Sequence, residues 1–277
     1  MPRHIRHERP RIVSLAPSVT SILVSLGARR DLVAVSKWCE DVAPVGGLPK
    51  VGDCWKLDVD EVMRLDPTIL IGSVPFAPET VSKLLAQPVA FLALNPRTLA
   101  DIEGNVRMLA RIVNRVQAGE KLIARMRSEF RQIGKRAKSP TRRKLRVYCE
   151  AWPNPRISSP PWVAELVALA GGEFVTSAGA RVADDEVARA NPELIVLAWT
   201  ATGGRADASK ALRNPAWRDT PAVQNRRVVV IRDELLNTPG PPLVKGAWEL
   251  FRAIQYANRK RPPERQGGRY KGEKPHV

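Results

Sequence analysis

The sequence has few of the side chains on which most catalysis depends. Among its 277 residues there are three histidines, His4, His7 and His276, and all of them lie near the two ends of the chain. A histidine general base or a histidine-ligated metal in the core is therefore excluded. There is no G-x-S-x-G nucleophile motif, no P-loop and no Cys-x-x-Cys metal spacing. The sequence predicts a protein that is not an enzyme and requires no cofactor.

Cysteines and long apolar runs are equally scarce. Three cysteines, Cys39, Cys54 and Cys149, are too few for a disulfide scaffold. No apolar run approaches the roughly 20 residues of a membrane span, which excludes a spanning membrane protein. Residues 1–10 are basic and polar and no apolar segment follows them, so we expect no secretory signal in the sequence as written.

Acidic residues are outnumbered by basic ones, 28 against 45, and the formal net charge is +17. Residues 107–146 contain fourteen basic and two acidic residues, and residues 258–277 contain seven and two. A solvated helix face and a disordered basic tail explain both segments. The alternative is that the charge attracts nucleic acid, anionic lipid or an anionic ligand. The basic residues do not gather around aromatic residues, as a base-stacking site would require. Nucleic acid is therefore not the expected partner.

Short apolar strands alternate with helices in both halves of the chain, which predicts α/β lobes built on parallel sheets. A long helical segment at 98–136, with a break near 114–119, separates the halves, and Thr98 and Asp101 have the spacing of a capping box. Ser18 is the expected N-cap of the first helix. The predicted strands are 11–15, 32–36, 68–72, 89–94, 145–150, 194–198 and 228–231. The predicted division is a flexible N-terminus (1–10), a first lobe (11–113), a bridging helix (114–142), a second lobe (143–257) and a disordered tail (258–277).

An internal repeat relates the two halves. Residues 60–71 match residues 185–196 at an offset of 125, with Asp, Glu, Val, Arg and Pro recurring in the same order. Each unit is interpreted as a helix, a tight turn at proline and a buried strand. The repeat predicts two related lobes with a cleft between them.

Aromatic residues follow the predicted strands or open the predicted helices. In open α/β sheets, ligands bind outside the carboxyl ends of the strands. Tryptophan at these positions provides a stiff wall for a large, flat ligand, although each ring could instead pack beneath its own loop. Cys39 and Cys54 are either soft metal ligands or small buried thiols. The residues that lie there are Trp38, Cys39, Cys54, Trp55, Phe76, Trp152, Trp162 and Trp199.

Several segments together resemble a known family. They are residues 11–28, 32–36, 48–52, 58–70, 98–112, 162–172 and the turn at 237–242. The chain is similar to the helical-backbone (class III) periplasmic binding proteins, which are the cobalamin-, haem- and siderophore-binding components of ABC importers. It is most similar to the cobalamin-binding branch.

The resemblance implies two Rossmann-like lobes bridged by a long α-helix, a monomer, a corrinoid ligand between the lobes, no metal held by the protein, and an ABC permease as partner. An acidic residue on each lobe would dock to the permease: Asp60 or Glu61 on the first, with Glu234 as a candidate on the second. The implied cleft residues are Ala16, Pro17, Ser18, Trp38, Cys39, Cys54, Trp55, Phe76, Trp152, Pro153, Trp162 and Trp199.

Two features depart from the family pattern. Exported members need a signal, and the sequence as written shows none; the net charge is also high for such a receptor. The resemblance implies a periplasmic location, and a cytoplasmic location is the alternative. The alternatives are accordingly an intracellular enzyme or chaperone that handles a cofactor on the same scaffold, or a receptor for a siderophore or haem.

Overall fold

The apolar segments of the first half pair into one sheet in the computed structural model, which describes residues 9–137 and 143–260. All neighbouring strands are parallel, so their carboxyl ends lie along one edge. The central strands are buried on both faces, which explains their continuous apolar sequences. The strands are β1 (Ile12–Ser14), β2 (Leu32–Ser36), β3 (Lys50–Val51), β4 (Ile69–Ser73) and β5 (Ala90–Leu94), in the order β3-β2-β1-β4-β5.

The sequence predicts the N-terminal caps of two helices in this lobe, and the structure confirms one of them. The capping box of Thr98 and Asp101 is present. Ser18, however, is not an N-cap: the first helix begins at Pro17 with Ala16 as its N-cap, because the fixed φ of proline suits the first helical turn. The helices are α1 (Pro17–Ser25), α2 (Val59–Met63), α3 (Pro78–Leu85) and α4 (Leu99–Ile112), with 3-10 turns at Arg29–Asp31 and Lys37–Asp41.

The second lobe contains a mostly parallel sheet with strand order β10-β9-β6-β7, and β8 also pairs with β6. Among these strands only β7 is antiparallel, and it forms a hairpin with the end of β6, beyond the predicted strand 145–150. Its strands are β6 (Leu145–Pro153), β7 (Arg156–Ser158), β8 (Gly172–Phe174), β9 (Leu194–Leu197) and β10 (Val228–Val230). Its helices are α6 (Pro161–Leu169), α7 (Asp184–Ala190), α8 (Ala208–Leu212), α9 (Pro221–Gln224) and α10 (Leu243–Arg259), with 3-10 turns at Pro215–Trp217 and Asp233–Leu235.

One long helix, α5 (Val116–Ala137), joins the lobes. It packs on α4 of the first lobe and on α6 and α10 of the second, so a single apolar cluster extends through both lobes. The break before it is short and centred on Asn114, whose φ is 52°. The two lobes and this helix confirm the predicted fold class.

Parts of three predicted segments lie outside the described residues. They are residues 1–8 of the predicted N-terminus, 138–142 at the end of the predicted bridging helix, and 261–277 of the predicted tail. Residues 258 and 259, assigned to that tail, belong to α10. No helix in the described ranges is long and apolar enough to cross a bilayer.

The internal repeat corresponds to equivalent structure in the two lobes. Each copy contains a short helix, α2 or α7, followed by the strand that pairs with the first strand of its sheet, β4 with β1 and β9 with β6. The turns between them carry left-handed residues, Asp66 with φ 48° and Asn191 with φ 49°, again 125 positions apart. Asp and Asn tolerate this conformation better than other non-glycine residues, so the repeat is structural.

Candidate functional site

The two lobes turn the same edges of their sheets towards the seam between them. A cavity of about 290 Å³ there is bordered by the turns that follow β2 and β10, represented by Asp41 and Glu234. Beside it, Gly240 packs so closely on α1 that a Cβ would lie 3.1 Å from Ser21 Oγ. Both turns follow carboxyl strand ends, where ligands bind in α/β folds, but the lining of this cavity includes none of the predicted tryptophans.

The start of α1 forms part of the contact between the lobes. Ala16 and Ser18 are buried, and Pro17 is half-buried. The Ser18 carbonyl accepts a hydrogen bond from Ser21 Oγ at 2.9 Å. Of these three predicted cleft residues, Pro17 has the most surface for a ligand, and the other two position the turn.

Asp53 holds the first wall of the cleft together. Its Oδ2 accepts a hydrogen bond from the Trp38 indole at 2.9 Å, and its Oδ1 accepts from the backbone N–H groups of Trp55 and Lys56. Burial opposes ionisation of Asp53, but these hydrogen bonds outweigh it and lower the pKa of the carboxyl group. Trp38 is thus half-buried and fixed, whereas the Trp55 side chain is 63% exposed.

The two cysteines lie beneath this wall rather than on it. Cys39 is within hydrogen-bond distance of Thr20 and Ser36, and Cys54 donates to the Leu15 carbonyl at 3.5 Å. Burial raises the pKa of Cys39, and it raises that of Cys54 to about 12. The structure therefore favours small buried thiols over metal ligands, since a ligating cysteine must be a thiolate.

Phe76 packs in the same layer. Its ring meets the ring of Phe91 edge-to-face at 5.2 Å, and it covers Gly72, where a Cβ would lie 2.5 Å from the ring. The half-buried Phe76 supports the loop after β4 and leaves only part of its ring to the cleft.

Trp152 is the exposed tryptophan of the second lobe. It lies near the carboxyl end of β6, its side chain is 39% exposed, and its indole donates to the Asn154 carbonyl at 2.8 Å. This contact folds the hairpin tip back on the ring and holds the half-buried Pro153 beside it. Trp152 is therefore the counterpart of Trp55 on the opposite lobe.

Trp162 and Trp199 do not line the cleft surface, contrary to the sequence-based expectation. Both are buried, and each indole N–H is already bonded, to the Leu236 carbonyl and to Glu150 Oε1 respectively, both at 2.8 Å. Buried tryptophans need such a partner, and in finding one they pack under their loops. The five tryptophans thus divide into two exposed rings, one fixed ring and two core rings.

A buried ionic network lies behind Trp199, and the sequence did not predict it. Glu150 is 1% exposed and accepts hydrogen bonds from Tyr148, Trp199 and Arg156. Burial disfavours the charge of Arg156, but the Glu150 carboxylate outweighs it and raises the pKa of the guanidinium group. Arg156 also pairs with Asp184 and lies 4.4 Å from the centre of the Trp217 ring. The only sequence signal was an acidic residue inside an apolar strand.

The acidic residues considered for docking lie on the cleft side of each lobe. Asp60 and Glu61 are exposed in the first turn of α2, which Asp58 caps. Glu234 is 8% exposed and paired with Arg232, which removes it from a docking surface. The internal repeat matches Asp60 and Glu61 to residues 185 and 186, in the first turn of α7. Both short helices follow carboxyl strand ends, so these acids border the same face.

No protein-bound metal is supported within the described ranges: they hold no group of three or more His, Cys, Asp or Glu side chains able to bind one. Two exposed indole rings, Trp55 and Trp152, lie near the carboxyl ends of strands on opposite lobes, and the Trp152 indole is held by the Asn154 carbonyl. Exposed aromatic rings of this kind offer apolar surface that a ligand can bury.

Comparison with known proteins agrees with this geometry. A family model described as periplasmic binding protein matches residues 12–235. The vitamin B12-binding protein of Vibrio parahaemolyticus is 25% identical over 258 residues, covering 91% of each chain. The uncharacterized ABC transporter substrate-binding lipoprotein YvrC of Bacillus subtilis is 24% identical over 263 residues, covering 90% of this chain and 81% of the relative.

Solved structures show the same fold. A periplasmic heme-binding protein from Pseudomonas aeruginosa superposes with a TM-score of 0.78 at 24% identity, covering 89% of this chain and 93% of that one. The periplasmic vitamin B12-binding protein BtuF of Vibrio cholerae gives a TM-score of 0.72 at 22% identity, covering 91% and 99%. Since the family model spans most of both lobes, the chain belongs to the periplasmic binding protein family.

Proposed function

We propose that this chain is the substrate-binding receptor of an ABC importer and that its ligand is a corrinoid. The observation that carries this proposal is the pair of exposed rings, Trp55 and Trp152, at the carboxyl edges of opposite lobes. Relatives named vitamin B12-binding protein support the ligand class. Apolar burial would supply most of the affinity, with each aromatic contact adding about 0.5–1.5 kcal/mol beyond its area.

Axial ligation favours a corrinoid over haem, the second candidate raised by the haem-binding structural neighbours. Proteins hold haem iron through His, Cys, Met or Tyr. Within the described residues the three thiols are buried, and Tyr148 and Met126 are in the core. Met63 is half-buried on α2, and the exposed Met108 and Tyr256 lie on α4 and α10 rather than on the loops that follow the strands. A corrinoid such as cobalamin carries its own axial groups, so it needs none from the protein.

A fluorescence titration tests this choice. We expect cobalamin and cobinamide to quench tryptophan emission in a saturable way, because their flat rings would lie against two exposed indoles. Haem and a ferric siderophore should quench at least tenfold more weakly, a difference of about 1.4 kcal/mol. Tight haem binding, with an absorption band that shows a protein ligand on the iron, would mean that the ligand is haem and not a corrinoid. Binding of none of the four would refute both.

The acids on the cleft face should serve the permease rather than the ligand. Changing Asp60→Asn with Glu61→Gln, or Asp185→Asn with Glu186→Gln, should leave corrinoid affinity within twofold and abolish most uptake. Charged groups at an interface rim act mainly on partner docking. Uptake of labelled corrinoid by cells that depend on this receptor measures the effect. The double variant Glu173→Gln with Asp219→Asn makes the same two chemical changes at exposed positions outside the first turns of α2 and α7, and it is the control. Uptake unaffected by both double variants would contradict the assignment.

We infer that the protein acts outside the cytoplasm, as the names of a lipoprotein relative and of a periplasmic structural neighbour suggest, and that it is a monomer. An intracellular enzyme or chaperone on the same scaffold would instead convert or transfer a bound corrinoid without a permease. Recovery of unchanged ligand from the purified complex, together with permease-dependent uptake, distinguishes these functions.

A further inference from the structure

The basic segment noted in the sequence is concentrated around one groove. A cavity of about 900 Å³ lies where the ends of α5, α6 and α10 meet the start of α4. It is at the amino ends of β6 and β8, so it is opposite the candidate cleft. Its basic lining residues are Arg127, Arg131, Lys135, Arg136, Arg143 and Lys144.

The helix places three of these cations in a row. Arg127, Arg131 and Lys135 are spaced four residues apart on α5, which puts them on one side of the helix at intervals of about 6 Å along its axis. Lys144 lies just before β6, at the same groove. Basic residues that are far apart in the sequence therefore lie close together in the lining of this groove.

Part of this charge is not neutralised by the protein. Arg127 pairs with Glu103, Arg143 pairs with Glu193, and Arg136 lies over the Trp248 ring. Within the described ranges, Arg131, Lys135 and Lys144 have no carboxylate partner. The carboxyl ends of α5, α6 and α10 each contribute about half a negative charge, which offsets part of the positive charge of the basic residues. The cations still outnumber the negative charges at the groove.

The floor of the groove is apolar. Leu99 and Leu169 are half-buried there, and the buried Phe130 lies beneath them. Gly134 keeps this space open, since it has no side chain and the nearest atom to its missing Cβ is Leu169 Cδ2 at 3.9 Å. An apolar floor beneath a cationic rim matches an amphiphilic anion. A nucleic acid fits less well, because the lining residues that the structure describes include no exposed aromatic ring for base stacking.

We propose that this groove binds an anionic phospholipid. Its acyl chain would lie along Leu99 and Leu169, and its phosphate would meet the unpaired cations Arg131, Lys135 and Lys144. The volume is within the range of about 300–1,000 Å³ typical of small-molecule sites. Because the groove and the cleft occupy opposite ends of the second sheet, the lipid does not compete with a ligand in the cleft.

Native mass spectrometry with myristoyl lysophosphatidylglycerol, kept below its critical micelle concentration, tests the proposal. We expect saturation at one lipid per chain. Lysophosphatidylcholine, which has the same chain and a zwitterionic head, should bind more weakly, and glycerol phosphate, the head without the chain, should not bind at comparable concentrations.

Matched charge variants locate the site. The triple variant Arg131→Gln, Lys135→Gln, Lys144→Gln should weaken binding on the order of 100-fold, since each basic residue near an anionic lipid contributes roughly a factor of five. The control triple, Arg111→Gln, Arg115→Gln, Lys121→Gln, removes the same charge from exposed positions outside the groove and should change binding less than twofold. Ala168→Trp, which fills the groove without altering charge, should also prevent binding. Circular dichroism confirms that each variant is folded.

Three results would overturn the proposal. Equal losses in the two triple variants would mean that net charge alone attracts the lipid. Glycerol phosphate binding as tightly as the lipid would leave the apolar floor without a role. A single-stranded oligonucleotide that binds more tightly than the lipid, and is lost in the groove triple, would make this a nucleic-acid surface.

Discussion

Replacing Arg156 by methionine should lower the free energy of unfolding by about 3–5 kcal/mol, because it leaves the Glu150 carboxylate buried without its countercharge. The substitution also removes the contact with Asp184 and the cation–π contact with Trp217. Urea unfolding followed by circular dichroism measures the change. A loss smaller than about 1 kcal/mol would show that solvent reaches Glu150 and that the network is not closed.

Two further variants separate the charge effect from lost packing. The double variant Glu150→Gln with Arg156→Met removes both charges. The glutamine oxygen can accept from the Trp199 indole while its NH2 group donates to the Tyr148 hydroxyl, so most of the stability should return. Arg189→Met breaks an ion pair with Asp185 whose side chains are 72% and 65% exposed, and it should change stability by less than about 0.5 kcal/mol.

Combining Trp55→Ala with Trp152→Ala should weaken corrinoid binding about 1,000-fold. Tryptophans at the centre of an interface commonly contribute about 2 kcal/mol or more each when truncated, and these two are the exposed rings of the cleft. Both lie on loops or strand ends with solvent on one side, so the protein should stay folded. Isothermal titration calorimetry with cobalamin measures the affinities of the single and double variants.

Tyr256→Ala is the matched control for this prediction. Tyr256 is an exposed aromatic residue on α10, away from the cleft, so its removal should leave cobalamin affinity within twofold. If Trp199→Phe weakened binding as much as the double variant, the ligand would contact the ring that the structure buries against Glu150. The cleft assignment would then be wrong.

Elements with strong local signals were predicted well. The apolar segments of β1, β2, β4 and β9 can be placed only in the core, and the Thr98 capping box starts α4 as its spacing predicts. The short β3 and the β6–β7 hairpin were missed because proline and glycine around them are typical of loops. Pairing with a neighbouring strand, which acts between distant parts of the chain, overrides that local preference.

The site shows the same division residue by residue. The position of tryptophans after strands, read from the sequence alone, correctly brings Trp38, Trp55 and Trp152 to the carboxyl edges. It does not separate them from Trp162 and Trp199, because the pattern of strand and loop is the same for all five. Their burial depends on distant partners, Leu236 and Glu150, that accept their indole hydrogens.

The sequence by itself determined the α/β class and the repeat of two lobes, since these follow from apolar periodicity and from residues at fixed local spacing. The tertiary structure alone decided which rings are exposed, that Glu150 and Arg156 are buried together, and that the basic residues of α5 meet Lys144 at one groove. Contacts between residues far apart in the chain set burial and charge, and no local pattern encodes them.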